Sequence, residues 1–83
     1  MKIKYFAWIR QHINLEEEDL ELPDHVNTVA ELIEFLKHKS DGHAKAFDCP
    51  ELVRCAIDLT FCNHDASIKN IKEIAFFPPV TGG

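Results

Sequence analysis

The chain reads EIAFFPPVTGG over residues 73–83. Residues 73–77 join a β-branched residue to a pair of phenylalanines, which is typical of a strand that buries large aromatic side chains. The prolines that follow lack a backbone N–H and hold φ at about −65°, so the strand is predicted to end at Phe77. Residues 78–83 are then expected to run on as an extended tail outside the sheet.

Glycine and proline are concentrated in this tail. The chain contains 3 Gly and 4 Pro, and the segment 78–83 holds two of each, namely Pro78, Pro79, Gly82 and Gly83. Glycine has no Cβ, so the tip is narrow and its carbonyl carbon is open to attack. A stiff base and a thin tip suit insertion into a tunnel of another protein, because a preordered segment loses less entropy on binding.

A glycine carboxylate at the end of such a tail is ionised at neutral pH and is a poor acyl donor. An activating enzyme would have to convert it into a mixed anhydride with AMP before a nucleophile could displace the nucleotide. A sulfur nucleophile would leave a terminal thiocarboxylate, and an amine would leave an amide, as in protein tagging. The tail by itself permits both outcomes, and an inert, frayed end is the third possibility.

The clearest helix of the sequence begins after Thr28. Thr28 and Glu31 have the spacing of a capping box. Apolar residues follow at i, i+3, i+4 and i+7 and are predicted to face the core: Val29, Leu32, Ile33 and Leu36. Cationic residues at 37–39 suit the negative end of the helix dipole, and Gly42 is expected to mark the end of the helix.

Strands are predicted on both sides of this helix. They span residues 2–8, 19–22, 53–58, 60–62 and 73–77. The acidic run at 16–19 is expected to be a solvated turn that joins the first two strands into an antiparallel hairpin. Residues 43–51 are interpreted as a short helical turn that ends at Pro50.

This order favours an α+β fold, with a mixed sheet of four to five strands and one main helix packed across one face. It fits the β-grasp arrangement, in which the first and last strands pair at the centre of the sheet. The tail would then leave from a rigid strand. Residues 1–77 are predicted to form this single domain, and residues 78–83 the extended tail.

Composition excludes several classes of function. The chain has 83 residues, of which 46% are hydrophobic and 28% charged, as expected for one small globular domain. Its net charge of −5 and the lack of a basic run argue against nucleic-acid binding. No apolar stretch approaches the roughly 20 residues that span a bilayer, and the N-terminus lacks a signal-peptide pattern. Three cysteines without a CxxC pair favour reduced thiols and a cytoplasmic location.

The run FFPPVTGG at residues 76–83 resembles the C-terminal signature of the small, sulfur-carrying subunits of molybdopterin synthase. The resemblance extends over the whole chain and implies a ubiquitin-like β-grasp protein. It implies that an adenylating, E1-like enzyme uses ATP to activate Gly83, which then becomes a thiocarboxylate. The tail would enter the large subunit of a heterotetramer, whose active site builds the dithiolene of molybdopterin from a cyclic pyranopterin monophosphate.

The resemblance also assigns roles to individual tail residues. Gly83 would carry the sulfur and Gly82 would give clearance. The remaining positions would guide the tail into its partner: Phe77, Pro78, Pro79, Val80 and Thr81. The chain would bind no cofactor or metal and would not be an enzyme without its large subunit. Asp58 and the segment 70–73 depart from the family pattern, which often has Asn at the first position and Gly-Asp-Glu in the turn before the last strand.

Other functions remain open at this stage. A sulfur carrier of thiazole synthesis generally lacks the Phe-Phe-Pro-Pro run, and a ubiquitin-like modifier would form conjugates through Gly83. A plain binding domain would have an inert tail. A thiol enzyme or metal site could use Cys49, Cys55 or Cys62 with a histidine, although the spacings match no zinc pattern. Tyr5, Phe6 and Trp8 are assigned to sheet packing, and an apolar patch left on the sheet would mark a partner surface.

Overall fold

The computed structural model describes residues 1–79, in which there are five strands and three α-helices. Along the chain these are β1 (Lys2–Tyr5), α1 (Ala7–Ile13), β2 (Glu17–Asp19), α2 (Val29–Lys37), α3 (Asp41–Ala46), β3 (Arg54–Ile57), β4 (Thr60–Cys62) and β5 (Glu73–Phe77). A 3₁₀ turn at Pro50–Leu52 precedes β3.

The strands form one mixed sheet in the order β2-β1-β5-β3-β4. β1 runs parallel to β5, with Lys2 opposite Glu73 and Tyr5 opposite Phe76. The other neighbouring strands are antiparallel. The first and last strands therefore pair inside the sheet, which confirms the predicted arrangement and places β5 between two neighbours.

The core is built from one face of this sheet and from the helices that cover it. Its largest fully buried side chains come from both layers: Tyr5, Phe47, Phe76, Ile3, Ile9, Leu32, Leu36 and Ile74. Burial of such apolar surface is the main favourable contribution to folding, at about 25 cal/mol per Å² removed from water.

Helix α2 is the element that the sequence predicts best. The hydroxyl of Thr28 accepts a hydrogen bond from the Glu31 N–H at 3.2 Å, and the Glu31 carboxylate accepts one from the Thr28 N–H at 3.0 Å. This reciprocal pair is the predicted capping box. The whole apolar stripe is buried: Val29, Leu32, Ile33 and Leu36. The main helix and its packing across the sheet are thus confirmed.

The first predicted strand is too long. β1 ends at Tyr5, and residues 7–13 form helix α1. Ile9 and Ile13, one helical turn apart, are both buried, so helical periodicity outweighs the strand propensity of the aromatic residues. Tyr5 packs in the core as expected, whereas Phe6 is 44% exposed.

The acidic run is not a solvated turn. Residues 17–19 form the edge strand β2, antiparallel to β1, and residues 20–22 are outside the sheet. Lysine side chains of β1 offset the charge, since Lys2 Nζ lies 3.4 Å from a carboxylate oxygen of Glu17. The antiparallel pairing of the first two strands is confirmed, but helix α1 connects them.

Gly42 does not end the main helix. It lies inside α3, whose N-cap is Ser40, while α2 already ends at Lys37. A Cβ at Gly42 would overlap the backbone carbonyl oxygen of His12, because α1 and α3 pack closely there. Pro50 likewise begins the 3₁₀ turn and does not end a helical turn.

Gly42→Ala is expected to destabilise the protein, although replacing a helical glycine with alanine usually raises the free energy of unfolding. Alanine ordinarily stabilises a helix by about 0.5–1 kcal/mol relative to glycine. Here the added methyl group meets the backbone of α1, and we expect a loss of about 1–3 kcal/mol in the free energy of unfolding. Urea denaturation followed by far-UV circular dichroism measures the change. A stabilised variant would contradict the close packing.

A polar cluster lies beneath strand β2. The Tyr5 hydroxyl donates a hydrogen bond to Glu18 Oε2 at 2.6 Å, and His43 Nε2 lies 2.7 Å from the same oxygen. The other ring nitrogen of His43 lies 2.7 Å from the hydroxyl of Ser40. Lys39 Nζ is 3.7 Å from Glu18 Oε1. This cluster joins β1, β2 and the start of α3 around one carboxylate.

The environment of Glu18 controls its protonation. Burial alone would raise the pKa of its carboxyl group, but the hydrogen bonds with Tyr5 and His43 and the electrostatic interactions with His43 and Lys39 together hold the pKa below its ordinary value. Burial, and then the hydrogen bond to Glu18, raise the pKa of Tyr5. The cluster therefore favours an ionised Glu18 beside a neutral tyrosine.

Glu18→Gln should therefore show a pH-dependent loss of stability. A carboxyl group with a lowered folded-state pKa stabilises the fold above its unfolded pKa of about 4.3, and this contribution is lost as the pH falls through the folded-state pKa. We expect the variant to lose about 1–3 kcal/mol at pH 7 and less at pH 3. Denaturation at both pH values tests this, and a difference that does not depend on pH would contradict it.

Candidate functional site

Strand β5 positions the base of the tail. It lies between β1 and β3, so that both of its edges are paired. Phe76 is fully buried, and its ring meets that of Phe47 edge-on at a centroid distance of 5.2 Å. The last strand is therefore anchored by two ladders and by an aromatic side chain in the core.

The next residue faces the other side of the sheet. Phe77 lies opposite Arg54 of β3, and its ring centroid is 5.6 Å from that of Phe61 on the edge strand β4. Pro78 and Pro79 follow outside the sheet, so the predicted end of the strand at Phe77 is confirmed. The other predicted tail residues lie outside the described residues: Val80, Thr81, Gly82 and Gly83. The division into a 1–77 domain and a 78–83 tail stays a prediction.

An aromatic pair lies beside this exit point. We call Phe61 and Phe77 the outer patch. Phe61 is 80% exposed, and its ring packs against that of the half-buried Phe77. A shallow groove beside β4 continues the patch and is lined by Arg54, Cys55, Phe61, Cys62, Asn63 and Phe77. An exposed aromatic side chain beside such a groove is typical of a protein-binding surface.

The turn between β3 and β4 has an unfavourable backbone conformation at Leu59. Asp58 and Leu59 form the two-residue turn between β3 and β4, with φ of 46° and 73°. Such a turn favours Asp-Gly or Asn-Gly, since both positions are left-handed. Asp58 fits, and its Oδ1 accepts a hydrogen bond from the Glu73 N–H at 3.3 Å, which ties the turn to the start of β5. Leucine does not favour positive φ and the Leu59 side chain is exposed, so neither backbone preference nor burial explains a leucine at this position.

The cysteines and histidines do not assemble into the alternative sites. Within residues 1–79, no group of three His, Cys, Asp or Glu side chains could hold a metal ion. Among the same residues no cysteine is hydrogen-bonded to a histidine, because His43 contacts Glu18 and His64 contacts the Val53 carbonyl oxygen. The absence of a bound metal stays a prediction. Cys49 is exposed, whereas Cys55 and Cys62 face each other across β3 and β4.

None of the helices described for residues 1–79 combines the length and the apolar character that crossing a membrane requires.

The sheet order, with the first and last strands paired in parallel inside it, defines the ubiquitin-like β-grasp class. The structure is similar to that of a Pyrococcus furiosus protein described as molybdopterin converting factor, subunit 1, with a TM-score of 0.74 and 32% identity over 95% of both chains. SAMP1 from Haloferax volcanii shares the fold with a TM-score of 0.70 and 19% identity, over 99% of this chain and 97% of that one.

The sequence comparisons identify the family. The ThiS family model matches residues 3–83, and the chain belongs to the ThiS family. It is 36% identical to the molybdopterin synthase sulfur carrier subunit of Haemophilus influenzae, over 100% of this chain and 99% of the relative. The Escherichia coli K12 protein of the same name is 31% identical over the same shares. The predicted family is confirmed.

Leu59→Gly is expected to stabilise the protein. Glycine adopts positive φ without a steric penalty, whereas a left-handed conformation costs other residues about 1–2 kcal/mol. Because Leu59 is 91% exposed, its removal loses little packing, and we expect a gain of about 0.5–1 kcal/mol in the free energy of unfolding. Urea denaturation measures the difference.

Leu59→Ala is the matched control, because it removes the same exposed side chain without relaxing the backbone. If both variants changed stability equally, the argument from backbone strain would be wrong.

Proposed function

We propose that this protein is the sulfur carrier subunit of a molybdopterin synthase. The observation that carries the proposal is the position of β5, a doubly paired strand that ends at Phe77 beside the outer patch, immediately before the PPVTGG sequence of residues 78–83. Two relatives of that name match the whole chain, and one similar solved structure is described as a molybdopterin converting factor. The chain would supply sulfur for the dithiolene of molybdopterin.

The chemistry takes place at Gly83. Its carboxylate oxygen attacks the α-phosphorus of ATP in an adenylating, E1-like enzyme, and pyrophosphate leaves. Hydrosulfide from a sulfur donor then attacks the carbonyl carbon of the acyl adenylate, AMP leaves, and loss of the S–H proton gives a thiocarboxylate on Gly83. Gly82 and Gly83 have no Cβ, so neither attack meets a side chain on the tail.

The body of the protein serves to present the tail to two partners. The outer patch provides apolar contacts beside the exit point, and the charged network on β1 and β2 leaves that side of the sheet polar. Residues 77–81 guide the tail into the large subunit, where the dithiolene is made. The chain needs no cofactor of its own and is not an enzyme without the large subunit. Its three cysteines suit a cytoplasmic location.

Intact mass spectrometry tests the chemical part of the proposal. The purified chain is incubated with the adenylating enzyme of the same organism, ATP and a sulfur donor. Exchange of one oxygen for sulfur should raise the mass by about 16 Da, because hydrosulfide displaces AMP from the acyl adenylate and leaves its sulfur on the carbonyl carbon. A chain without Gly82 and Gly83 is the control and should not change. No shift in the intact chain would contradict the carrier function.

The thiolated chain from this incubation can then be used to distinguish the alternative functions. Conjugates joined through Gly83 to lysines would indicate a ubiquitin-like modifier. For a molybdopterin synthase subunit, the thiolated chain together with the large subunit should convert the cyclic pyranopterin monophosphate into molybdopterin. Sulfur transfer to a thiazole precursor instead would indicate the thiazole pathway. A binding domain with an inert tail would support neither reaction, and removing Gly82 and Gly83 would not alter its binding to a partner.

A further inference from the structure

Cys55 and Cys62 form a closely opposed pair that the sulfur-carrier function does not use. They are register partners on the antiparallel strands β3 and β4. Their Sγ atoms lie 3.0 Å apart. Directly opposed residues of an antiparallel pair have Cα atoms about 4.5–5.5 Å apart, which is within the range of about 4.4–6.8 Å that a disulfide spans.

The two thiols differ in their access to solvent. Both cysteines border the groove beside β4, but Cys55 is 1% exposed and packs in the core, whereas Cys62 is half-buried on the edge strand. A small disulfide can therefore reach Cys62 first, and the neighbouring Cys55 is then in place to resolve the mixed disulfide. Cys49 is exposed and lies outside the strands.

We propose that Cys55 and Cys62 are a redox-active dithiol that closes reversibly to an intramolecular disulfide. The oxidant is a low-molecular-weight disulfide such as glutathione disulfide. The Cys62 thiolate attacks one of its sulfurs, forms a mixed disulfide and releases one thiol. The Cys55 thiolate then attacks Cys62 Sγ and releases the second thiol. The two protein S–H protons end on the two released thiols, and the two protein sulfurs are oxidised as the oxidant is reduced.

The environment of Cys55 slows the closing step. Burial, and then the hydrogen bond and charge interaction with Cys62, raise the pKa of the Cys55 thiol to about 12. Since the thiolate is the attacking species, closure should accelerate by up to about tenfold for each pH unit over the range pH 7–9. The disulfide between Cys55 and Cys62 would therefore form slowly and only under sustained oxidation.

Closure would tie the edge strand to the sheet. The loop between the two cysteines contains the β3–β4 turn, and Phe61 of the outer patch lies immediately before Cys62. A disulfide restricts the unfolded chain, so the oxidised protein should unfold at a higher temperature. The ratio of disulfide to thiol in the surrounding solution would thus control how stably strand β4, which carries Phe61, is held in the sheet.

The experiment uses the full chain with Cys49→Ser, which leaves only the opposed pair. The variant is equilibrated with excess glutathione disulfide at pH 8 and then examined by intact mass and peptide mapping. We expect a loss of about 2 Da, a cross-link between the peptides of Cys55 and Cys62, and recovery on adding dithiothreitol. The midpoint of thermal unfolding should rise by roughly 5–10 °C on oxidation.

Cys49→Ser combined with Cys62→Ala is the matched control, because it removes the half-buried member of the pair and leaves the fully buried Cys55 in place. This variant should neither lose mass nor gain thermal stability with the oxidant. Stable glutathione adducts, or unchanged thiols in the Cys49→Ser chain after equilibration, would overturn the proposal. In that case the pair is only a packing contact.

Discussion

The parallel pairing of β1 with β5 is the constraint on which the rest of the structure depends. It joins the two ends of the domain and puts Ile3, Tyr5, Ile74 and Phe76 on one buried face. Parallel neighbours cannot be joined by a tight turn, so the intervening chain must cross over, and the helices that do this cover the core. The same pairing holds the last strand in place where the tail begins. One strand pairing therefore both stabilises the domain and fixes the position of Phe77, after which the predicted tail begins.

The sequence predicted the parts of the fold whose local signals agree with their tertiary environment. The stripe and capping box of α2, and the end of β5 at Phe77, are examples. Helix α1 was missed because aromatic and β-branched residues favour a strand, although Ile9 and Ile13 have helical spacing. Strand β2 was missed because a row of acidic residues is typical of a solvent-exposed turn. In the structure, lysines on the neighbouring strand β1 offset the negative charge of these residues. Local patterns do not contain this cross-strand information.

The sequence predicted the family of the protein but not the surface around the candidate site. The FFPPVTGG run indicated the family, which the comparisons confirm, and the role of Gly83 as the sulfur carrier stays a prediction. The outer patch and the pairing of Cys55 with Cys62 both depend on the register of β3 and β4, which the turn at residues 58–59 sets. A turn with two positive φ angles was not expected, because Leu59 is a poor residue for it.

The double pairing of β5 has a mechanical consequence. Force applied along the axis of β5 at its C-terminal end loads the hydrogen bonds to β1 and β3 together, in shear. Shear requires many bonds to fail at once, whereas peeling an edge strand breaks them one at a time. Phe76, which packs against Phe47 in the core, adds a steric barrier to sliding of the strand. The last strand therefore resists extraction from the domain when it is pulled from its C-terminal end.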